Sequence, residues 1–259
     1  MATPASVTGA PAPMTGYDVA GPADGPAIVF VHGTRLTRGM WAPQVERLSD
    51  TFRVIAMDLP GHGARADERF TLDAAAEALA RTIDTAAAGR ALVVGLSLGG
   101  YVAMYLAGRA PERVRGLVLT GATAEPTDWR AAPYRALAWV MDTFDGDGLD
   151  TLNRWFFRTR YAPAIAEPII RGGFWSSGGA EALRCLAGHE FKPSLAAYPG
   201  PSLIMNGSLD LPFRLDQKGF RAVAQDARSM RIAGATHLAN LDRPTAFSEA
   251  VRRFADGRD

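Results

Sequence analysis

Lysine is nearly missing from this 259-residue chain: Lys192 and Lys218 are the only two among 28 basic residues. With abundant alanine, the arginine excess reads as a compositional bias of the genome rather than a functional signal. Charge of one sign is lacking as well. The 28 basic residues face 27 acidic ones, a formal net charge of +1. That balance argues against a nucleic-acid binder, which carries a basic excess on one face. There is a single cysteine, Cys185, so no internal disulfide can form. No histidine-bearing motif surrounds it, and it reads as a small buried or half-buried residue. No stretch approaches 18 uninterrupted apolar residues, so no membrane span is expected. The opening "MATPASVTGAPAPMTG" has neither a charged n-region nor an apolar h-region. It does not read as a signal peptide, and the expected location is the cytoplasm.

What is present is ample apolar material, 47% of residues. A chain of this length buries roughly 70–75% of its unfolded surface, enough for a full core without staples. Residues 1–16 are Pro, Ala, Thr and Gly without periodicity, and a disordered tail is expected there. From there apolar runs alternate with helical patterns. The runs are "AIVFVH" (27–32), "RVIAMD" (53–58), "ALVVGL" (91–96), "VRGLVLTG" (114–121), "PSLIMNG" (201–207) and "RSMRIAG" (228–234). Between them, Thr71 caps a helical pattern to Ala87, a second runs from Leu98 to Gly108, and a last one starts at Pro244. Continuous apolar strands separated by helices make a parallel sheet covered on both faces. Ligands of such sheets sit beyond the carboxyl ends of the strands.

One segment breaks the alternation. Residues 124–197 are aromatic-rich, helical in pattern and interrupted by Gly- and Pro-rich breaks. They read as a helical insertion that divides a core domain of residues 17–123 and 198–259. Most of its aromatics form its own core. A helical insertion over the strand ends would also act as a lid, with some rings lining a pocket. Trp129, Trp139, Trp155 and Phe174 are the candidates, with Leu238 from the core. No internal repeat is present.

The chemistry centres on "VVGLSLGGYVAMYLA" (93–107), where Ser97 stands between Gly95 and Gly99. Strand, sharp turn and helix is the setting of a G-x-S-x-G nucleophile elbow. Side chains at the flanking positions would collide with the neighbouring strand and helix. The turn holds a hydroxyl at a helix N-terminus, where backbone N–H groups face developing negative charge. A serine needs a base. Of four histidines, His237 in "GATHLANLDRP" stands just past the last strand and just before the last helix. Asp210 in "IMNGSLDLP" ends the preceding strand and is the candidate to orient it; Glu125 is the alternative acid. The order Ser97, Asp210, His237 suits this architecture. The N–H of Leu98 is one expected oxyanion donor and that of Thr34 the other. His32 and the "DLPGHG" turn (58–63) read as loop braces. Arg35 and Arg38 are either solvated or placed to meet a substrate carboxylate.

Together, "HGT…MW", "DLPGHG", "GLSLGG", "NGSLD" and "GATHLANLDRP" resemble the α/β-hydrolase superfamily, in its branch with a helical cap. The matching pieces run in order from residue 32 to 244, nearly the whole chain apart from the tail. The resemblance implies a mostly parallel eight-stranded sheet flanked by helices, a Ser–His–Asp triad, no cofactor and no metal. The expected partner is a small-molecule ester or lactone, and the aromatic insertion should admit one with an apolar acyl or alcohol part. Ser97 rules against the dehalogenase and epoxide-hydrolase branches, which place a carboxylate there. The "TRLTRG" loop departs from the glycine-rich, proline-bearing loop of carbon–carbon hydrolases. Thr34 departs from the aromatic of perhydrolase-like members. Ester or lactone hydrolysis is the expected activity. A carbon–carbon hydrolase or lyase using the same groups, or a ligand sensor with negligible turnover, is the alternative.

Overall fold

Strand β1 is Tyr17–Ala20, β2 Ala27–Val31, β3 Arg53–Met57, β4 Ala91–Leu96, β5 Val114–Thr120, β6 Pro201–Gly207 and β7 Asp226–Ile232. They are taken from a computed structural model that describes residues 16–144 and 146–257. The sheet order is β1-β3-β2-β4-β5-β6-β7. Strand β1 runs antiparallel to β3, and every other pairing is parallel. The six apolar runs of the sequence all become strands, within two residues of their expected ends. Among the described residues there are seven strands rather than eight. Ahead of β2 the described chain holds one short strand, because the turn over Gly21–Gly25 follows Ala20 at once. Residues 1–15 of the expected tail lie outside the described residues, and Gly16 already belongs to the fold: its carbonyl accepts the Asp58 N–H at 2.8 Å.

The helices are α1 (Ala42–Leu48), α2 (Leu72–Ala86), α3 (Leu98–Ala107), α4 (Ala131–Thr143), α5 (Asp147–Arg160), α6 (Pro163–Gly172), α7 (Ser176–Leu186), α8 (Lys192–Ala197), α9 (Leu211–Arg214), α10 (Gln217–Val223), α11 (Ala239–Asp242) and α12 (Pro244–Ala255). Thr71 caps α2 by accepting the Ala74 N–H at 3.0 Å, as its sequence position suggested.

Strand period 2 divides the core. Val29 and Val31 of β2 face one side with Leu79, Tyr101 and Phe191, while Ile28 and Phe30 face the other with Trp41, Leu48 and Phe247. Each such side chain is fully buried, and burial of a Val, Leu, Ile or Phe stabilises by roughly 1.5–3 kcal/mol. This double-sided burial makes the strand ends rigid supports for the loops beyond them.

Helices α4–α8 lie between β5 and β6. Helices α4 and α7 pack through Ala138, Met141, Ala180 and Leu183. The end of the insertion joins the main core instead: Phe191 and Leu195 are buried in the same cluster as Tyr101.

Candidate active site

Strand β4 ends at Leu96 and α3 begins at Leu98, so one residue turns the chain. That residue, Ser97, has φ 54° and ψ −118°. A non-glycine residue at positive φ stores strain of order 1–3 kcal/mol. The Ser97 N–H donates to the Thr120 carbonyl at 2.7 Å, and the Ser97 carbonyl accepts from Gly100 and Tyr101 at 2.9 and 3.2 Å. These bonds hold the turn in place. A Cβ on Gly95 would run into the Gly99 carbonyl oxygen, and one on Gly99 into the Val31 carbonyl oxygen. Both glycines are therefore steric requirements of the turn. The Ser97 hydroxyl makes no capping bond, and the residue lines a cavity of about 750 Å³.

His237 lines the same cavity from the loop between β7 and α11. Its Nδ1 lies 2.9 Å from Asp210 Oδ2. A carboxylate oxygen accepts, so Nδ1 carries a hydrogen. The Phe213 ring stacks on the imidazole at 4.7 Å. Gly121, at φ 58°, lets the imidazole approach: a Cβ there would sit 2.6 Å from His237 Cε1. Asp242 fixes the loop itself. It accepts the N–H and hydroxyl of Thr236 at 2.7 and 2.6 Å, the Tyr161 hydroxyl at 2.9 Å and Arg160 Nη2 at 2.8 Å. The histidine loop is thereby tied to the end of α5.

Leu98 is the first residue of α3, so its N–H has no intrahelical acceptor. The Thr34 N–H meets no backbone acceptor among the described residues. The chain beside it is held by two buried imidazoles. Arg35, at φ 66°, donates its N–H to His62 Nε2 at 3.2 Å. Leu59 donates to His32 Nε2 at 2.9 Å. The Nδ1 atoms donate to Pro60 and Gly33 carbonyls at 2.9 and 2.8 Å. Both rings are thus neutral, with the hydrogen on Nδ1. Burial pushes His32 down to about 4 and His62 down to about 3, helped at His62 by the neighbouring His32.

The other expected site residues divide. Thr34, Trp129 and Leu238 line the cavity with Ser97 and His237. Trp129 is 76% exposed, at its rim. Trp139 and Trp155 are exposed on the insertion and do not line it. Phe174 is buried, stacked on Phe157 at 5.6 Å. The Arg35 guanidinium lies 3.9 Å from Asp150 rather than in the cavity. Arg38 pairs with Asp58 and Asp18. Glu125 accepts the N–H groups of Phe191 and Lys192; burial raises its carboxyl above the usual range. The sequence reading missed Tyr134, Leu137, Met141, Phe213 and Leu215, which line the cavity. The Tyr134 hydroxyl bonds that of Tyr101 at 2.9 Å, and burial pushes it up to about 12. Only Phe213 had a signal, standing three residues after Asp210 in "LDLPF".

The Ser97 hydroxyl, the imidazole of an imidazole–carboxylate pair and the Thr34 backbone meet at one mostly apolar cavity, which Leu98 does not line. Residues 28–250 match the Alpha/beta hydrolase family, and the chain belongs to that family. The chain is 33% identical over 202 residues to the pimeloyl-[acyl-carrier protein] methyl ester esterase of Nitrosomonas europaea, covering 73% of this chain and 79% of the relative. It is 28% identical over 244 residues to 3-oxoadipate enol-lactonase 1 of Acinetobacter baylyi, covering 90% of each. The crystal structure of the enol-lactonase from Burkholderia xenovorans LB400 superposes with a TM-score of 0.80 at 25% identity, covering 93% of this chain and 95% of that one. No helix of the described residues is long and apolar enough to cross a membrane.

Proposed function

We propose that the protein hydrolyses a carboxylic ester or lactone through an acyl-enzyme on Ser97. The observation that carries this reading is the 2.9 Å His237–Asp210 pair on the same cavity as a serine at positive φ. His237 Nε2 takes the Ser97 proton as Oγ attacks the carbonyl carbon. The N–H groups of Thr34 and Leu98 hold the oxyanion. Asp210 keeps the hydrogen on Nδ1 and stabilises the imidazolium. The imidazolium then protonates the leaving alkoxide as the carbon–oxygen bond breaks. Water, deprotonated by the same nitrogen, attacks the acyl-enzyme and releases the acid and Ser97. No step calls on a cofactor.

The cavity volume and its apolar walls suit a substrate with a medium-length apolar acyl or alcohol part. The two curated relatives, an esterase and a lactonase by name, support the same bond class. The insertion serves as the lid: Trp129, Tyr134, Leu137 and Met141 close one side of the cavity.

The test is hydrolysis of p-nitrophenyl acetate, butyrate and octanoate by the wild type and Ser97→Ala. Turnover by the wild type and a loss of about 10⁴-fold or more in the variant is expected. Equal turnover by both removes Ser97 from the chemistry. No turnover by either removes the esterase reading.

A further inference from the structure

Residues 212–218 have two sides. Pro212, Phe213, Leu215 and Asp216 line the cavity that holds Ser97. Arg214, Gln217 and Lys218 line a second hollow, a groove of about 330 Å³ completed by Arg221 of α10 and by Ser229 and Arg231 of β7. Four cations thus converge on one small concavity. Among the described residues none of the four has a carboxylate within ion-pair distance, although many other arginines are paired. Asp216, the one acid in residues 212–218, is taken by Lys192 at 2.7 Å. In a chain of net charge +1 this is a strong local excess.

Convergent like charges repel, and a concave wall concentrates their field. Two parts of the wall are also held in place. Arg214 Nη1 donates to the Ser208 carbonyl, and Gln217 Oε1 accepts from Asn206 Nδ2 at 3.1 Å. Guanidinium groups offer paired N–H donors that match phosphate oxygens, and lysine adds a point charge. A compact anion of several charges both fits the volume and relieves the repulsion.

We propose that this groove binds a phosphate or pyrophosphate group. The binding claim stands apart from the esterase reading. The shared wall with the cavity allows the anion to be either a free ligand or the far end of an ester whose acyl part enters beside Ser97.

The test is isothermal titration of the full chain with inorganic pyrophosphate and inorganic phosphate at low ionic strength. Wild type and Ser97→Ala are expected to bind one pyrophosphate each, more tightly than phosphate. The Lys218→Gln/Arg221→Gln variant changes two exposed residues and should keep the wild-type melting temperature while its Kd rises at least tenfold. Absence of binding to the wild type, or an unchanged Kd in the folded double variant, overturns the proposal. A second arm separates the sources, using p-nitrophenyl butyrate and the butyrate ester of 6-hydroxyhexyl phosphate. If the groove holds a substrate's anionic end, the double variant raises KM for the phosphate ester alone. If it holds a free anion, neither KM moves. Failure of both esters to react would sink the esterase reading and leave the titration result intact.

Discussion

Acidification from pH 7 to pH 5 should destabilise this protein mainly through two histidines that do not line the cavity. His32 and His62 are both fully buried, and burial holds them at about 4 and about 3. In the unfolded chain each titrates near 6.5. Between those values the unfolded state binds protons that the folded state refuses. The stability they leave intact above pH 6.5 is therefore lost as pH falls toward the folded values. At pH 5 the loss is about 2 kcal/mol for each ring, about 4 kcal/mol together. Glu125 acts in the opposite direction, since its carboxyl is raised by burial. A comparison of two proteins removes that contribution. His62→Gln keeps an acceptor for the Arg35 N–H but does not titrate. Urea unfolding at pH 7 and pH 5 should show the wild type losing about 2 kcal/mol more than His62→Gln over that interval. Equal losses in the two proteins would refute the assignment of His62 as a neutral buried acceptor.

Other outcomes follow from the same geometry. Asp210→Asn should lower kcat on a p-nitrophenyl ester by about 10³–10⁴-fold with KM little changed, because the wrong tautomer faces Ser97. Gly99→Ala should lower stability by about 3 kcal/mol in chemical denaturation, since its Cβ would run into the Val31 carbonyl oxygen. Trp129→Ala should raise KM for the octanoate ester severalfold, whereas Trp155→Ala should leave it unchanged, because only Trp129 lines the cavity. Equal effects of the two tryptophan variants would place the binding surface elsewhere on the insertion.

The parts of the site that were legible before the structure are those bound to local backbone form. "GLSLG" is readable because glycine at both flanks is a steric condition of the turn. Asp210 and His237 are readable because each stands in the loop beyond a strand end, where a parallel sheet presents its ligand-facing residues. The insertion resisted such reading. Trp139, Trp155 and Phe174 were as plausible in composition as Trp129, yet two face outward and one is buried. Packing between α4 and α7 turns Tyr134 and Met141 inward instead, and half-exposed Leu137 joins them on the cavity wall. Arg35 reads from the sequence as solvated or as a partner for a substrate carboxylate, but its guanidinium lies 3.9 Å from Asp150, more than a hundred residues away.

By itself the sequence determined the strand–helix alternation, the parallel sheet and the order of serine, acid and histidine. Period 2 burial, helix capping and a crowded turn leave few other solutions for those residues. The tertiary structure alone decided which insertion side chains reach the cavity and that His62 rather than solvent takes the Arg35 N–H. Those outcomes depend on contacts between segments far apart in the chain, and no local pattern encodes the angle at which one helix meets another.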